Sequence, residues 1–134
     1  KLIEEKLSMK ISEIFREKGE KFFRIEEAKE VLKSLKKTNC VIAIGGGAFM
    51  NKAVREKILK NSISIWLDLN INTINNRVKW NNKRPLLKEK KLEKLNNLYE
   101  QRKKIYKLAN YKIECDKLSK KSIVKKIIEL YEKQ

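Results

Sequence analysis

Cys40-Val41-Ile42-Ala43-Ile44-Gly45-Gly46-Gly47 is the stretch on which the reading of this chain turns, because three of its four glycines stand together directly after an apolar run. An apolar run without polar alternation predicts a strand covered on both faces, as in a parallel sheet. Glycines carry no Cβ, so the backbone at their turn admits a ligand at close range. Asn51 to Lys60 reads as a helix that follows at once. Strand, glycine turn and helix make half of a βαβ unit, and ligands of open α/β sheets bind beyond the carboxyl ends of the strands, where these glycines fall.

Outward from this stretch, Ser8 is placed to cap a helix carrying Ile11, Ile14 and Phe15 and ending at Gly19. Phe22, Phe23, Ala28, Val31, Leu32 and Leu35 mark a second helical face. Ile63 to Leu69 reads as a strand, Ile71 to Trp80 as a helix, and Asn81 to Lys88, with the only proline, as a loop. A long helix runs from Leu92 to Leu108, Tyr111 to Cys115 is a last short strand, and Ser119 caps a C-terminal helix. This order predicts a parallel sheet layered with helices.

At 134 residues the chain is expected to form one domain. Its two cysteines, Cys40 and Cys115, form no CxxC or repeated framework, which predicts a reduced, cytoplasmic protein without disulfides. With no histidine, metal binding by that cysteine pair is not expected. No apolar run reaches the length of a membrane span. The net charge of +17 comes from 28 lysines spread through every expected helix, beside abundant asparagine and isoleucine. That spread reads as compositional bias, because no aromatic-studded basic strand accompanies it as a nucleic-acid site would require.

Against so many lysines the six arginines carry information. An arginine retained here marks a place where a planar, forked donor suits a carboxylate or phosphate. Arg24, Arg77, Arg84 and Arg102 stand where such a site would use them, and Arg24 is also spaced for an i,i+3 ion pair with Glu27.

Gly19-Glu20 with Phe23-Arg24-Ile25-Glu26-Glu27, then Ile42 to Ala48, then Arg84-Pro85-Leu86-Leu87, then Arg102 with Ile105-Tyr106, resembles the shikimate kinase family over essentially the whole chain. Ile3-Glu4, Met9 and Ile11-Ser12-Glu13-Ile14-Phe15 extend the likeness to the opening residues. The resemblance implies a three-layer α/β fold, a parallel sheet with flanking helices, of the P-loop nucleoside-monophosphate-kinase type. It implies transfer of phosphate from ATP, with Mg²⁺, to the 3-hydroxyl of shikimate in the synthesis of chorismate and the aromatic amino acids. By position, it makes Arg24 and Arg102 the holders of the shikimate carboxylate and Glu27 an acidic neighbour of that site. It sets Gly45, Gly46 and Gly47 against the shikimate ring, Arg84 at the transferring phosphate, Arg77 near adenine, and 81–91 as the lid. A monomer is expected, with shikimate and ATP as its partners and no specific nucleic acid or membrane.

The chain departs from that pattern at the phosphates. Nothing in it fits GxxxxGK[ST], no Asp-x-Asp segment is present, and Ala43 stands where many relatives carry Ser or Thr near the metal-bound water. The expectation is a domain over 1–134 that is partial at its N-terminus, lacking a first strand, phosphate loop and helix of roughly thirty to thirty-five residues on the βα pattern. Such a chain alone is expected to transfer no phosphate. The competing readings are another small-molecule kinase, such as gluconate kinase, and a non-catalytic basic binding module.

Overall fold

The computed structural model describes residues 1–80 and 88–133, with side chains for 1–77 and 92–133. They group into two compact units, Lys1–Ser62 and Ile63–Gln134.

The first unit opens with helix α1 (Leu2–Leu7), which closes at Ser8 in the left-handed region. Ser8 therefore ends a helix rather than starting one, a correction to its reading as an N-cap. Helix α2 (Ile11–Ser34) begins after Lys10, whose backbone N–H donates to the Glu13 carboxylate at 2.9 Å. The helix is broken at Gly19, where φ is 79° and ψ 167°. A side chain at Gly19 would meet nothing within 4 Å, so the residue is glycine for its backbone conformation and not for space. Ile3, Ile14 and Phe23 form a buried cluster that joins α1 to both halves of α2, and Phe15 lies 4.8 Å from Phe23 between ring centroids. Lys6 bonds Glu26 and Glu30 at 2.9 Å each and so ties α1 to the far half of α2. Hydrogen bonds from Lys29 and Lys6 hold the Glu26 carboxyl below its usual range.

After α2, Cys40–Ile44 joins no β-ladder among the described residues, and Val41 is 95% exposed. The expected strand covered on both faces is not formed here. An apolar run identifies a segment able to pair, whereas pairing itself needs a partner strand. A single 3₁₀ turn (Ala48–Met50) follows the glycines, then α3 (Lys52–Asn61), capped by Asn51 accepting from Val54 N–H at 3.1 Å. These two elements pack on each other and on α2, and Ala48, Phe49, Val54 and Ile58 are buried there.

The second unit holds β1 (Ile65–Asp68) and β2 (Tyr111–Glu114), paired in parallel. Helix α4 (Ile71–Trp80) follows β1, α5 (Lys88–Tyr106) precedes β2, and α6 (Lys120–Glu132) ends the unit with Ser119 accepting from Ser122 N–H. Of the expected lid, 88–91 are helical and open α5, while 81–87, with Arg84, lie outside the described residues. No described helix is long and apolar enough to cross a membrane.

Side chains fasten the strand pair at both ends. Before it, Asn110 Oδ1 accepts from Ser64 N–H at 3.0 Å and from the Ser64 hydroxyl at 2.6 Å. Beyond it, the Asp116 carboxylate accepts from Asn70 N–H at 2.9 Å and from the Thr73 hydroxyl at 2.6 Å. The Thr73 hydrogen bond is the main cause that holds Asp116 below the usual aspartate range; the Asn70 N–H and the charge of Arg77 add to it, against partial burial.

Two stability predictions follow from these contacts. Ile14, fully buried in the first unit, should cost about 2–5 kcal/mol when cut to alanine, read from denaturant unfolding. A carboxyl depressed in the folded state stabilises it above the unfolded-state pKa, and that contribution disappears as the pH falls through the folded one. Asp116→Asn should therefore lower Tm at neutral pH, and its difference from wild type should close as the pH drops through and below the ordinary aspartate range.

Candidate functional site

The glycine turn and α2 meet in the first unit. Arg24 and Glu27 lie one turn apart on α2, and Arg24 Nη1 donates to Glu27 Oε2 at 2.7 Å. Arg24 also donates from Nε and Nη2 to Glu20 Oε1, at 3.2 and 3.1 Å. Burial works against the charge of Arg24, but the bonds to Glu27 and Glu20 outweigh it and raise the guanidinium pKa. The Arg24 side chain keeps 35% of its surface exposed while Glu27 keeps 10%, so the pair has a buried acid and an accessible cation.

The glycines are what let this pair approach the turn. A Cβ built on Gly45 would lie 2.7 Å from Glu27 Oε1. One built on Gly47 would lie 2.6 Å from Arg24 Cζ and 3.0 Å from Nη2, and closer still to Nη1. Gly47 has ordinary right-handed helical φ and ψ, −75° and −29°, so the requirement there is space alone. Arg55 on α3 then fixes the turn from behind: its Nη1 donates to the carbonyls of Phe49 and Met50 at 3.0 and 3.1 Å.

Of the residues singled out from sequence, Arg24, Glu27 and Gly45 to Gly47 are thus brought together. Arg77 and Arg102 belong to the second unit. Arg77 is exposed on α4; Arg102 is half-buried on α5, and its Nε is buried without a hydrogen-bond partner. A buried donor left unpaired is costly. The sequence reading gives no role to Glu20 or Arg55. The signals were available: Glu20 stands four residues before Arg24, and Arg55 is one of the few arginines retained among so many lysines.

The sequence profile of the shikimate kinase family matches residues 1–132. A shikimate kinase of Sulfurihydrogenibium sp. is 41% identical over 128 residues, covering 96% of this chain and 76% of the relative. That of Persephonella marina is 38% identical over 126 residues and is covered to the same 76%; that of Bartonella henselae, at 37%, is covered to 60%. Among solved structures, the shikimate kinase of Acinetobacter baumannii in complex with shikimate superposes with a TM-score of 0.85 at 30% identity, covering 96% of this chain and 73% of that one. The fold is therefore that of the P-loop kinases, a parallel sheet with flanking helices. Within that class, the chain belongs to the shikimate kinase family, phosphotransferases of aromatic amino-acid biosynthesis. Neither a gluconate-type kinase nor a basic binding module is favoured by these likenesses.

The family uses ATP, and the described residues do not form a cradle for its phosphates. The side chains of Arg24 and Glu27 fill the space at the glycine turn, and no Gly-Lys-Ser/Thr occurs in the chain. Among the described residues no group of three or more His, Cys, Asp or Glu stands together to hold a metal ion.

Gly47→Ala tests the packing directly. Its backbone accepts alanine, and the atoms it meets are the movable end of one side chain, so the cost in stability should stay within about 1 kcal/mol. The guanidinium must move aside, so shikimate should bind several-fold more weakly by calorimetry while Tm is nearly unchanged.

Proposed function

We propose that the residues gathered at the glycine turn bind the acceptor, shikimate, for phosphorylation of its 3-hydroxyl by ATP. The observation that carries this is the charged guanidinium of Arg24 set against Gly47 and held by two carboxylates, with its exposed side free for an anion. A partly exposed ion pair adds little stability, but a guanidinium fixed in one orientation offers a carboxylate two parallel hydrogen bonds.

In this reading Arg24 holds the carboxylate, Gly45 and Gly47 make room at the turn for the Glu27 and Arg24 side chains, and Arg102 is assigned as the second carboxylate holder on the strength of family resemblance. Glu27 keeps Arg24 oriented. Holding the acceptor in place supplies the positioning on which phosphoryl transfer depends, since little covalent chemistry is asked of the protein. The transfer itself forms a bond from the 3-oxygen to the γ-phosphorus, breaks the bond to the β-γ bridging oxygen, and releases ADP and a proton. Mg²⁺ bound with ATP would neutralise charge on the phosphates. Arg84 as lid arginine and Arg77 beside adenine complete the assignment on the strength of family resemblance. We place the protein in the cytoplasm, a reading supported by its two free thiols, Cys40 and Cys115, and read it as a monomer.

Lysine at position 24 or 102 keeps the charge and loses the fork. In the protein as the cell makes it, Arg24→Lys and Arg102→Lys should each raise KM for shikimate about ten- to a hundredfold, the worth of a charge-assisted bond, and leave KM for ATP close to wild type. Normal shikimate affinity in both variants would remove the carboxylate assignment.

A further inference from the structure

Glu20, Arg24 and Glu27 are spaced i, i+4 and i+7, which sets them on one face of the helix that restarts after Gly19. Glu20 Oε1 takes the side of the Arg24 fork, Nε–H and the adjoining Nη2–H, and Glu27 takes one hydrogen of Nη1. A guanidinium has five N–H groups. Among the described residues these bonds commit three and leave one on each terminal nitrogen, and the Nη2 hydrogen left over is the one that faces Nη1. Glu27 alone would leave the group able to pivot about Nη1, at the end of a side chain with many rotamers. A second anchor on other nitrogens fixes its plane.

We infer that Glu20 is a positioning residue for the acceptor's carboxylate: it occupies the side of the Arg24 fork and so turns the end of the fork toward the ligand. The inference rests on the reading of Arg24 as the carboxylate holder. Glu20 also lies just after the break at Gly19, near the start of a helical segment whose dipole favours an acid. A change in thermal stability alone therefore does not distinguish the two roles, and affinity measured against the state of Arg24 does.

The experiment is a double-mutant cycle on the protein as the cell makes it, with shikimate binding read by calorimetry and KM and kcat by a coupled assay. Glu20→Ala should weaken shikimate binding roughly three- to tenfold, as expected for a partly exposed charged hydrogen bond, with KM for ATP and kcat at saturation close to wild type. Glu20→Gln keeps an acceptor oxygen without the charge and should recover most of that loss. It also serves if the alanine variant folds poorly. In an Arg24→Lys background Glu20→Ala should cost nothing further, because an ammonium has no fork to orient. An equal cost in both backgrounds, or a matching loss of ATP affinity, overturns the inference by making the effect structural. Normal shikimate affinity in Glu20→Ala and Glu20→Gln beside an impaired Arg24→Lys overturns it while leaving Arg24 in place. Normal affinity in Arg24→Lys overturns the carboxylate reading and the inference with it.

Discussion

A guanidinium and a carboxylate occupy the space where two side chains would otherwise begin. At Gly47 the end of Arg24 lies inside the volume of a Cβ, and at Gly45 an oxygen of Glu27 does the same. The rest of the first unit serves this contact. The left-handed break at Gly19 starts a fresh helical segment, so Glu20, Arg24 and Glu27 share a face. The aromatic contact of Phe15 with Phe23 packs the two halves of α2 across that break, and Arg55 with Asn51 holds the backbone that leaves the glycines. With one partner 35% exposed, the Arg24 to Glu27 pair contributes modestly to stability. Its importance is in the orientation it gives a charged group.

The second unit solves a different problem, the stability of two short parallel strands. Four paired residues on each strand give a ladder too small to persist unaided. Asn110 with Ser64 at one end and Asp116 with Asn70 and Thr73 at the other add side-chain bonds in the same register. Asp116 does more than lock the strands, because its bonds to Asn70 and Thr73 also fix the first turn of α4, the helix that carries Arg77.

Much of this was legible in the residues. Helical and strand periodicities marked α3, α4, β1, β2 and α6, and Ser119 caps α6 as its position suggested. Gly19 interrupts the helix where a helix end was expected, and Arg24 pairs with Glu27 as their spacing implied. Local chemistry decides each of these. The misses concern what depends on partners or on short range. Cys40–Ile44 has the composition of a buried strand, yet no ladder forms there and Val41 is open to solvent. Helix α1 is only six residues long, too short for its periodicity to stand out, so in sequence Ser8 reads as the start of the next helix. Glu20 went unassigned because an i,i+4 ion pair on a lysine-rich, acid-studded helix resembles every other such pair until its geometry is seen.

The clamps at the two ends of the strand pair join residues 46 apart in sequence, the same offset as the strand register itself. Closing a chain loop costs entropy that rises only with the logarithm of its length, so that doubling the connection between the strands would cost about 0.6 kcal/mol. The pairing is thus nearly indifferent to how long its crossover is. Descendants of this fold are free to lengthen the crossover between β1 and β2 without unfastening the sheet.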